Sequence, residues 1–360
     1  MRLSGTTIVT LTPPCATACA AGESPREWIQ LIRTGSETAL LEAWLSIVEA
    51  NPLPAVLARI CYADCERGCC RDHLDAPVSI RALERSVADH ALREHWAFPE
   101  PAAATGKRVT VVGSGPCGLS AAYQLARAGH EVTLMDAQAH AGGMLRRGIT
   151  EQRLPKAILD AEIARICALG VLLRTGRTSL RVTDELASAD GVVWAAGASM
   201  CMAIVQGRTL WSQPVHTDER VTRTATVSIG RGRRAALALN EHLAGAGLTE
   251  PGSIDAIDPG DVSFALYGRR APLLPRARTA QLDPGASARI FPYPIQDVAA
   301  EADRCLSCGR CFGCAACFDA CPFGAVDSLP DGRFTILPDQ CCDCRACLDE
   351  CPCGAIREPG

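Results

Sequence analysis

The pattern of apolar and polar positions divides the chain into four segments. Residues 1–104 show helical periodicity with cysteines in two groups, and residues 105–248 follow an α/β pattern. Residues 249–304 are rich in Pro, Gly and Arg with little periodicity, which predicts a long connecting strap. Residues 305–360 contain two similar halves. The predicted fold class is multidomain, α/β plus α: a helical N-terminal domain, a Rossmann-like domain and a small α+β C-terminal domain.

The α/β segment opens with a strand, a glycine-rich turn, a helix and a second strand. The apolar strand Val109–Val112 leads into Gly113-Ser114-Gly115-Pro116-Cys117-Gly118, and an apolar helix starts at Leu119. The second strand, Val132–Met135, ends at Asp136. In a G-x-G-x-x-G turn the glycines permit the tight turn, the approach of a pyrophosphate and the helix–strand contact, and the acid accepts from ribose hydroxyls. The order predicts a dinucleotide-binding fold, with a purely structural βαβ unit as the alternative.

Composition narrows the function further. A formal charge of −4 gives no general attraction to nucleic acid or anionic membranes, and 4% aromatic residues argue against base-stacking surfaces. No apolar segment approaches the length of a membrane span, and the first residues lack the apolar core of a signal peptide. With 21 cysteines, the chain is expected in the reducing cytoplasm, where thiolates remain free to bind metals.

Two cysteine runs near the C-terminus carry the strongest chemical signal. The first is Cys311-x2-Cys314-x2-Cys317-x3-Cys321-Pro322, and it recurs 30 residues later as Cys341-x2-Cys344-x2-Cys347-x3-Cys351-Pro352. In bacterial dicluster ferredoxins, three thiolates of one such run hold one [4Fe–4S] cluster and the fourth ligates the other cluster. The predicted ligand sets are Cys311, Cys314, Cys317 and Cys351, and Cys341, Cys344, Cys347 and Cys321. Structural zinc is the alternative, although zinc sites usually pair two short cysteine knuckles.

Several motifs in a fixed order give the middle of the chain a family resemblance. Besides the glycine-rich turn, they are Ala141-Gly-Gly-Met-Leu145, Arg153-Leu-Pro155 and Asp190-Gly-Val-Val-Trp-Ala-Ala-Gly197. Over residues 14 to about 245 the chain resembles the glutamate synthase small-subunit family, which includes the N-terminal half of dihydropyrimidine dehydrogenase. The resemblance implies that the Rossmann-like domain binds FAD. The residues it implies for that site are Gly113, Ser114, Gly115, Pro116, Gly118, Leu119, Asp136, Gly142, Gly143, Leu145, Arg153, Ala196, Gly197, Asp218, Thr226 and Val227.

The same family begins with a helical domain that carries two [4Fe–4S] clusters, and residues 1–104 resemble it. The matching motifs are Pro14-Cys15-x3-Cys19, Asn51-Pro-Leu-Pro54 and Arg59-Ile-Cys61-x3-Cys65-Glu66-x3-Cys69, although Ala20 stands where the family usually has Pro. The resemblance implies one cluster on Cys19, Cys61, Cys65 and the side chain of Glu84. It implies a second cluster on Cys15, Cys69 and a C-x2-C pair that the family places upstream of them.

No cysteine precedes Cys15 in the sequence, but the family's E-A-x-R-C-L-x-C segment stands at Glu301–Cys308, directly before the ferredoxin runs. We therefore expect the strap to bring Cys305 and Cys308 back to complete a cluster with Cys15 and Cys69. The alternative is that both are spare thiols. The remaining cysteines fit no ligand spacing: Cys70, Cys342 and Cys353 stay unassigned, and Cys117, Cys167 and Cys201 are expected to be buried core residues.

The family's second Rossmann domain, which binds NADPH, has no counterpart in this sequence. Gly197 is followed within about 35 residues by Ala225–Ala236, which resembles the family's closing helix. That gap is too short for βαβ units of roughly 30 residues each. The chain is therefore expected not to bind NAD(P)H in the family's manner. The closing segment keeps an acid, Asp218, but lacks the family's preceding glycines, and Arg231, Arg233 and Arg234 are expected to face a partner, a phosphate or solvent.

Together these patterns predict an FAD- and [4Fe–4S]-dependent electron-transfer subunit of an oxidoreductase. It would carry two ferredoxin clusters, up to four clusters in all, and exchange electrons with a catalytic partner subunit or a ferredoxin. No arrangement for nucleophilic catalysis is visible, so no catalytic residue is predicted. The alternatives are a polyferredoxin-like scaffold with a degenerate flavin site and a stand-alone flavoenzyme that oxidises NAD(P)H.

Overall fold

The computed structural model describes residues 6–176, 187–197, 201–206, 208–213, 224–245, 255–273 and 292–358. Within them the chain forms a helical N-terminal unit, a central sheet flanked by helices, and a small C-terminal α+β unit. The predicted fold class is confirmed.

The N-terminal unit is built from short helices around a tryptophan-rich core. Proline begins three of these helices, because its fixed φ and missing N–H suit the first turn. Trp28 and Trp44 are completely buried, and the rings of Trp44 and Phe98 stack with centroids 5.6 Å apart. The helices are α1 (Pro14–Thr17), α2 (Pro25–Ile32), α3 (Glu37–Ala50), α4 (Pro54–Ile60), α5 (Asp64–Arg67) and α6 (Ile80–Arg93), with a 3-10 turn at Cys70–His73 between the last two.

The central unit is a six-stranded sheet with strand order β4-β3-β2-β5-β6-β7 in the described residues. Its first four strands are parallel and the last two antiparallel, and Val109 of β2 pairs with Val132 of β3. The strands are β2 (Arg108–Val112), β3 (Glu131–Met135), β4 (Leu172–Arg174), β5 (Gly191–Trp194), β6 (Cys201–Val205) and β7 (Arg208–Gln213). The helices are α7 (Pro116–Arg127), α8 (Gly143–Arg147), α9 (Lys156–Ala168) and α10 (Ala225–Leu243).

Helix α10 packs between α7 and the helical unit through two glycines. A Cβ on Gly232 would lie 2.0 Å from the carbonyl oxygen of Cys117, and one on Gly230 would lie 1.9 Å from that of Ala20. Ser120 of α7 donates to the carbonyl oxygen of Ile229 at 2.9 Å. Because no side chain fits at either glycine, the backbone of α10 directly contacts α7 on one side and Ala20 of the helical unit on the other.

The C-terminal unit includes residues from both ends of the chain. Its own elements are α12 (Ala316–Ala320), β8 (Val326–Ser328), β9 (Phe334–Ile336), α13 (Ala346–Asp349) and β10 (Ile356–Arg357), preceded by α11 (Ile295–Ala302) at the end of the strap. Strand β10 pairs antiparallel with β1 (Thr7–Ile8). Backbone hydrogen bonds from Val9 to Ala355 and from Leu11 to Gly309, both 2.8 Å, extend this connection. The first described residues of the chain therefore belong structurally to the C-terminal unit.

Two buried charged side chains join the units. Glu162 of α9 accepts from the backbone N–H groups of Ala55 and Val56 at 2.9 and 3.0 Å, and so caps α4 of the helical unit from the sheet domain. Arg304, whose side chain is 2% exposed, binds Glu301 at 2.7 Å and Asp75 at 3.0 Å. It also donates to three carbonyl oxygens, those of Ala76, Pro77 and Arg270.

Among the described residues, no single helix is long and apolar enough to cross a membrane. The bent pair formed by α3 and α4, at 79° to each other, passes that test on length and composition alone.

Candidate functional site

The two ferredoxin runs form two cysteine-lined cavities in the C-terminal unit. One is lined by Cys311, Cys314, Cys317 and Cys351, here called the first ferredoxin set, and the other by Cys321, Cys341, Cys344 and Cys347, the second ferredoxin set. Each cavity contains three thiols of one run and the last thiol of the other run, which is the crossed arrangement expected from the spacing. Ala315 and Arg345 adopt left-handed φ values of 63° and 66°, which turn the chain into the short helix that follows each loop.

A third cavity lies between the two ends of the chain. It is lined by Cys15 and Cys69 from the helical unit and by Cys305 and Cys308, which directly follow the strap, and these four are here called the junction set. Burial raises the pKa of the Cys15 thiol, and Cys305 and Cys69 raise it further. Burial raises the pKa of Cys69 to about 11. Such thiols lose their protons when a metal binds them, so the cavity fits a cluster and suits free thiolates poorly.

A buried arginine supplies positive charge to the junction set, and the sequence analysis did not identify it. Arg26 is 4% exposed, and its Nη1 donates to the carbonyl oxygens of Leu11 and Cys308 at 2.7 and 2.6 Å. Its charge lowers the pKa of Cys15, opposing the larger effect of burial. A cation here stabilises the thiolate form of the set.

The fourth predicted ligand set, Cys19, Cys61, Cys65 and Glu84, is here called the N-terminal set. Its members are electrostatic neighbours: burial raises the pKa of Cys65, and Cys19, Glu66, Cys61 and Glu84 raise it further. Burial, together with Glu23 and Glu84, raises the pKa of Cys19 to about 12. Cys19, Cys61 and Glu84 are thus close enough to Cys65 to act on its charge, and their shared role as cluster ligands stays a prediction.

Two further residues of this region were missed by the sequence analysis. Asn51 donates from Nδ2 to Glu23 Oε1 at 2.8 Å and to Glu84 Oε1 at 3.1 Å. Burial raises the pKa of Glu23 to about 7. The Asn51-Pro-Leu-Pro54 motif was visible in the sequence, but its role as the donor shared by two buried carboxylates depends on residues 28 and 33 positions away.

The unassigned cysteines lie beside the ligand sets. Cys70 lines the junction cavity, Cys353 the first ferredoxin cavity and Cys342 the second. A hydrogen bond between Cys351 and Cys353, with 3.9 Å between the two sulfurs, lowers the pKa of Cys351 to about 6. Of the expected core thiols, Cys117 and Cys201 are buried and Cys167 is half-buried. No group of three or more Cys, His, Asp or Glu within the described ranges is arranged to hold a single metal ion.

The glycine-rich turn has the shape that a dinucleotide needs. Gly113 has φ +101°, and a Cβ there would lie 2.6 Å from the carbonyl oxygen of Ala195. A Cβ on Gly118 would overlap the carbonyl oxygen of Gly113 at 1.7 Å, which enforces the close helix–strand contact. At Gly115 nothing lies within 4 Å of the position a Cβ would take. The turn therefore leaves open space at the N-terminus of α7, where a pyrophosphate meets amide donors.

The Ala141–Leu145 motif, which contains three of the residues implied for FAD binding, lies against this turn. Gly142 donates its N–H to the carbonyl oxygen of Ser114 at 2.9 Å, and a Cβ on Gly143 would lie 2.8 Å from the Cα of Gly115. Asp136 accepts from the backbone N–H of Ser114 at 2.7 Å and also from its hydroxyl. The other carboxylate oxygen, Oδ1, accepts from the Gln138 N–H at 2.8 Å, so the carboxylate orders the turn and keeps one lone pair of Oδ1 as an acceptor.

The remaining predicted FAD residues surround this region. Leu119 and Leu145 are buried, and Pro116 begins α7. Ala196 and Gly197 are exposed after β5. Thr226 and Val227 lie in the first turn of α10, where the Val227 N–H is capped by Thr224 at 3.2 Å. Arg153 is exposed and Asp218 lies outside the described residues.

The basic residues of α10 do not share one environment. Arg231 is buried, with 3% exposure, whereas Arg233 is half-buried and Arg234 is exposed. A solvated face therefore does not account for Arg231.

Three family models match the chain, one for each unit. Residues 8–96 match dihydropyrimidine dehydrogenase domain II with its 4Fe-4S cluster, residues 111–161 match an NAD(P)-binding Rossmann-like domain, and residues 310–355 match a 4Fe-4S dicluster domain. The predicted resemblance is confirmed. The matches support [4Fe–4S] sites at both ends of the chain and a flavin or nicotinamide nucleotide site between them.

Curated relatives agree with this resemblance. The chain is 39% identical over 163 residues to the NAD-dependent dihydropyrimidine dehydrogenase subunit PreT of Escherichia coli K12, covering 45% of this chain and 39% of that protein. It is 36% identical over 207 residues to the glutamate synthase [NADPH] small chain of Mycobacterium tuberculosis, covering 55% and 41%. It is 37% identical over 201 residues to the NADP(+)-dependent formate dehydrogenase subunit beta of Moorella thermoacetica, covering 49% and 28%. The chain thus spans less than half the length of each.

Proposed function

We propose that this chain is an electron-transfer subunit of an oxidoreductase, with one FAD site and four [4Fe–4S] sites. Its partners are a catalytic oxidoreductase subunit, a ferredoxin, or both, and its compartment is the reducing cytoplasm, where thiolate ligands persist. The relatives, which are named as dehydrogenase subunits and as the small chain of glutamate synthase, support this class of function. The observation that carries the proposal is the junction cavity, whose thiols come from the helical unit and from the start of the segment 305–360.

The domains of the proposal are a helical iron–sulfur domain at 1–104, an FAD domain at 105–248, a strap at 249–304 and a dicluster ferredoxin domain at 305–360. The pairing of Thr7–Ile8 with Ile356–Arg357 adds the first described strand to the ferredoxin domain. Electrons can therefore pass between two domains that are far apart in sequence but share a ligand cavity and a sheet.

The dinucleotide site contacts the N-terminal set directly. Thr226 donates from Oγ1 to the Sγ of Cys61 at 3.3 Å, and Arg153 donates to the carbonyl oxygen of Ile60 at 3.4 Å. Thr226 and Arg153 both belong to the residues implied for FAD binding. These contacts support a short path between the flavin site and the N-terminal set.

Neighbouring cluster sites beyond the N-terminal set are connected by short stretches of backbone. Cys65 of the N-terminal set and Cys69 of the junction set are four residues apart, and Cys308 and Cys311 are three residues apart. Three residues span at most roughly 11 Å. Gly309 also donates its N–H to the carbonyl oxygen of Cys353 at 2.6 Å, beside the first ferredoxin set. Cys317 of the first ferredoxin set and Cys321 of the second are likewise four residues apart. The contacts support one continuous series from the flavin site to the second ferredoxin set.

FAD, when bound, supplies exchange between two-electron and one-electron chemistry. The chain's own residues hold it in place: Gly115 leaves room for the pyrophosphate, and the N-terminus of α7 offers amide donors and a positive dipole. At the cluster sites the cysteines supply thiolates, and burial, sulfur hydrogen bonds and the Arg26 charge adjust their potentials.

The test is the cofactor content of anaerobically purified protein. We expect about 16 Fe, with matching acid-labile sulfide, and one FAD per chain. The double variant C305A/C308A is expected to lose about 4 Fe, because the junction set then keeps only two thiols. The matched control C167A/C201A, which removes two thiols outside every ligand set, keeps the full content.

Unchanged iron in C305A/C308A would refute the junction site. About 8 Fe with no FAD would instead favour the polyferredoxin-like scaffold. Rapid bleaching of the isolated protein by NADH or NADPH would favour the stand-alone flavoenzyme.

A further inference from the structure

An open cleft of about 400 Å³ lies where the helical unit, the strap and the ferredoxin domain meet. Its walls include Arg33 from the helical unit, Arg270 from the strap and Pro352 from the ferredoxin domain. Two predicted cluster ligands also line it, Cys305 of the junction set and Cys314 of the first ferredoxin set. This space, here called the junction cleft, therefore reaches two neighbouring cluster sites at once.

The junction cleft carries positive charge on a chain whose formal charge is −4. Arg33 binds Asp303 at 2.6 Å, and Arg270 binds the other oxygen of the same carboxylate. One acid thus faces two arginines, and the neighbouring Arg269 is exposed as well. The remaining arginine of the wall, Arg71, is matched by Asp75 at 2.6 Å.

The charge of the ferredoxin domain has the opposite sign. Residues 305–360 contain eight acidic residues and four arginines. An acidic partner is therefore repelled by the ferredoxin domain as a whole and attracted to the junction cleft, because the sign of the local field decides where a charged protein first docks.

Apolar side chains stand at the rim of the cleft. Leu266 is 49% exposed and Phe312 is 36% exposed, and the rings of Phe312 and Tyr267 lie 6.3 Å apart. Cys314 is itself exposed. A small apolar contact inside a charged border is the composition expected of a transient redox interface, which buries less than about 1,200 Å².

We propose that the junction cleft docks the acidic face of a small one-electron carrier protein. The proposal rests on the proposed function, since it requires clusters at the two adjoining sites. It adds an exchange point in the middle of the series of sites, where an incoming electron can move toward the flavin or toward the ferredoxin end. In this exchange the carrier is oxidised by one electron and one cluster is reduced by one electron, with no other co-reactant.

The experiment measures binding of an oxidised acidic flavodoxin to the full, cluster-loaded chain, so that no turnover is needed. The double variant R33Q/R270Q is expected to raise the Kd about tenfold at low ionic strength and to flatten its dependence on salt. The control R333Q/R357Q removes two arginines of the ferredoxin domain that are paired with Asp331 and Asp261 and do not line the cleft. It is expected to change the Kd less than twofold.

A second variant tests the site without breaking an ion pair. Leu266→Glu places a negative charge at the exposed rim and is expected to weaken flavodoxin binding to a similar degree. A matching slowing of one-electron transfer from reduced flavodoxin, followed by stopped flow, would support the same site.

Unchanged binding in both cleft variants, or a larger loss in R333Q/R357Q, would overturn the proposal. Iron content and reduction by dithionite are measured on the same preparations. Missing clusters in the unmodified chain would contradict the proposed function itself, whereas full clusters with unaffected binding would contradict the docking site alone.

Discussion

The buried Arg304 network gives a prediction whose size follows from the structure. Arg304 is the arginine of the E-A-x-R segment, one residue before Cys305. Its guanidinium pairs with Glu301, which is 0% exposed, and shares Asp75 with Arg71. Arg304→Met keeps an unbranched apolar side chain but leaves the Glu301 charge buried without its cation. Removing one partner of a buried ion pair costs about 3–5 kcal/mol.

The lower end of that range applies here. Glu301 retains two donors, the backbone N–H groups of Ser79 at 2.9 Å and Leu273 at 3.0 Å. A loss of about 3 kcal/mol corresponds to roughly a hundredfold larger population in which the segment before Cys305 is open, since 1.4 kcal/mol is a factor of ten. This is a large part of the 5–15 kcal/mol that stabilises a typical native protein.

The measurement is hydrogen exchange of the amides in α11, read by mass spectrometry on anaerobic, cluster-loaded protein. We expect exchange in R304M to be about a hundredfold faster than in the unmodified chain. Arg33→Met is the matched control, because the Arg33–Asp303 pair belongs to the same segment but is 31% and 39% exposed. Such a pair contributes at most about 1 kcal/mol, which predicts less than about a fivefold change. Equal protection in R304M and R33M would show that the buried network does not hold this segment.

Three further predictions concern the pH response and the cofactor sites. Burial raises the pKa of Glu162 to about 7, so the folded state binds its proton more tightly than the unfolded state, and stability falls as pH rises from about 4.5 through 7. The Tm of the unmodified chain relative to E162Q should therefore fall between pH 5 and 8, and parallel curves would contradict this. Asn51→Leu removes the donor shared by the buried carboxylates of Glu23 and Glu84. Because Glu84 is a predicted ligand, the variant should lose about 4 Fe per chain. A full iron content would show that Asn51 does not support the Glu84 ligand. Gly115→Val fills the open space reserved for the pyrophosphate and should remove FAD while the iron content stays constant. Gly118→Ala should instead reduce the soluble yield, because its Cβ would lie 1.7 Å from the carbonyl oxygen of Gly113. Retained FAD in G115V would place the pyrophosphate elsewhere.

Local motifs were predictable because their geometry lies within a few residues of chain. The three closely spaced thiols of each ferredoxin run belong to one loop, and the glycines of the dinucleotide turn act within six residues. For such features, spacing and residue type are enough, since the backbone itself limits how far apart the atoms can be. The crossed thiols Cys321 and Cys351 were also predictable, because the repeat of the run implies a pseudo-symmetric pair.

Contacts between segments that are far apart in the sequence could be predicted only in part. The transposed E-A-x-R-C-L-x-C segment predicted that Cys305 and Cys308 would meet Cys15 and Cys69, but only the folded chain brings them to one cavity. Nothing in the sequence indicated that Thr7–Ile8 would pair with the last strand, or that Arg26 would reach the Cys308 carbonyl oxygen across 282 positions.

The sequence therefore determined which chemical groups this protein carries: thiolates in ferredoxin spacing and a glycine turn for a dinucleotide. Tertiary structure alone decided which distant cysteines share a cavity and how the cavities are arranged. Residues such as Glu162 and Arg304 join separate units through buried contacts, and the junction cleft exists only where three units meet. The physical reason is that chain connectivity limits distances over a few residues, whereas distances over hundreds of residues are set by packing and by the pairing of buried charges.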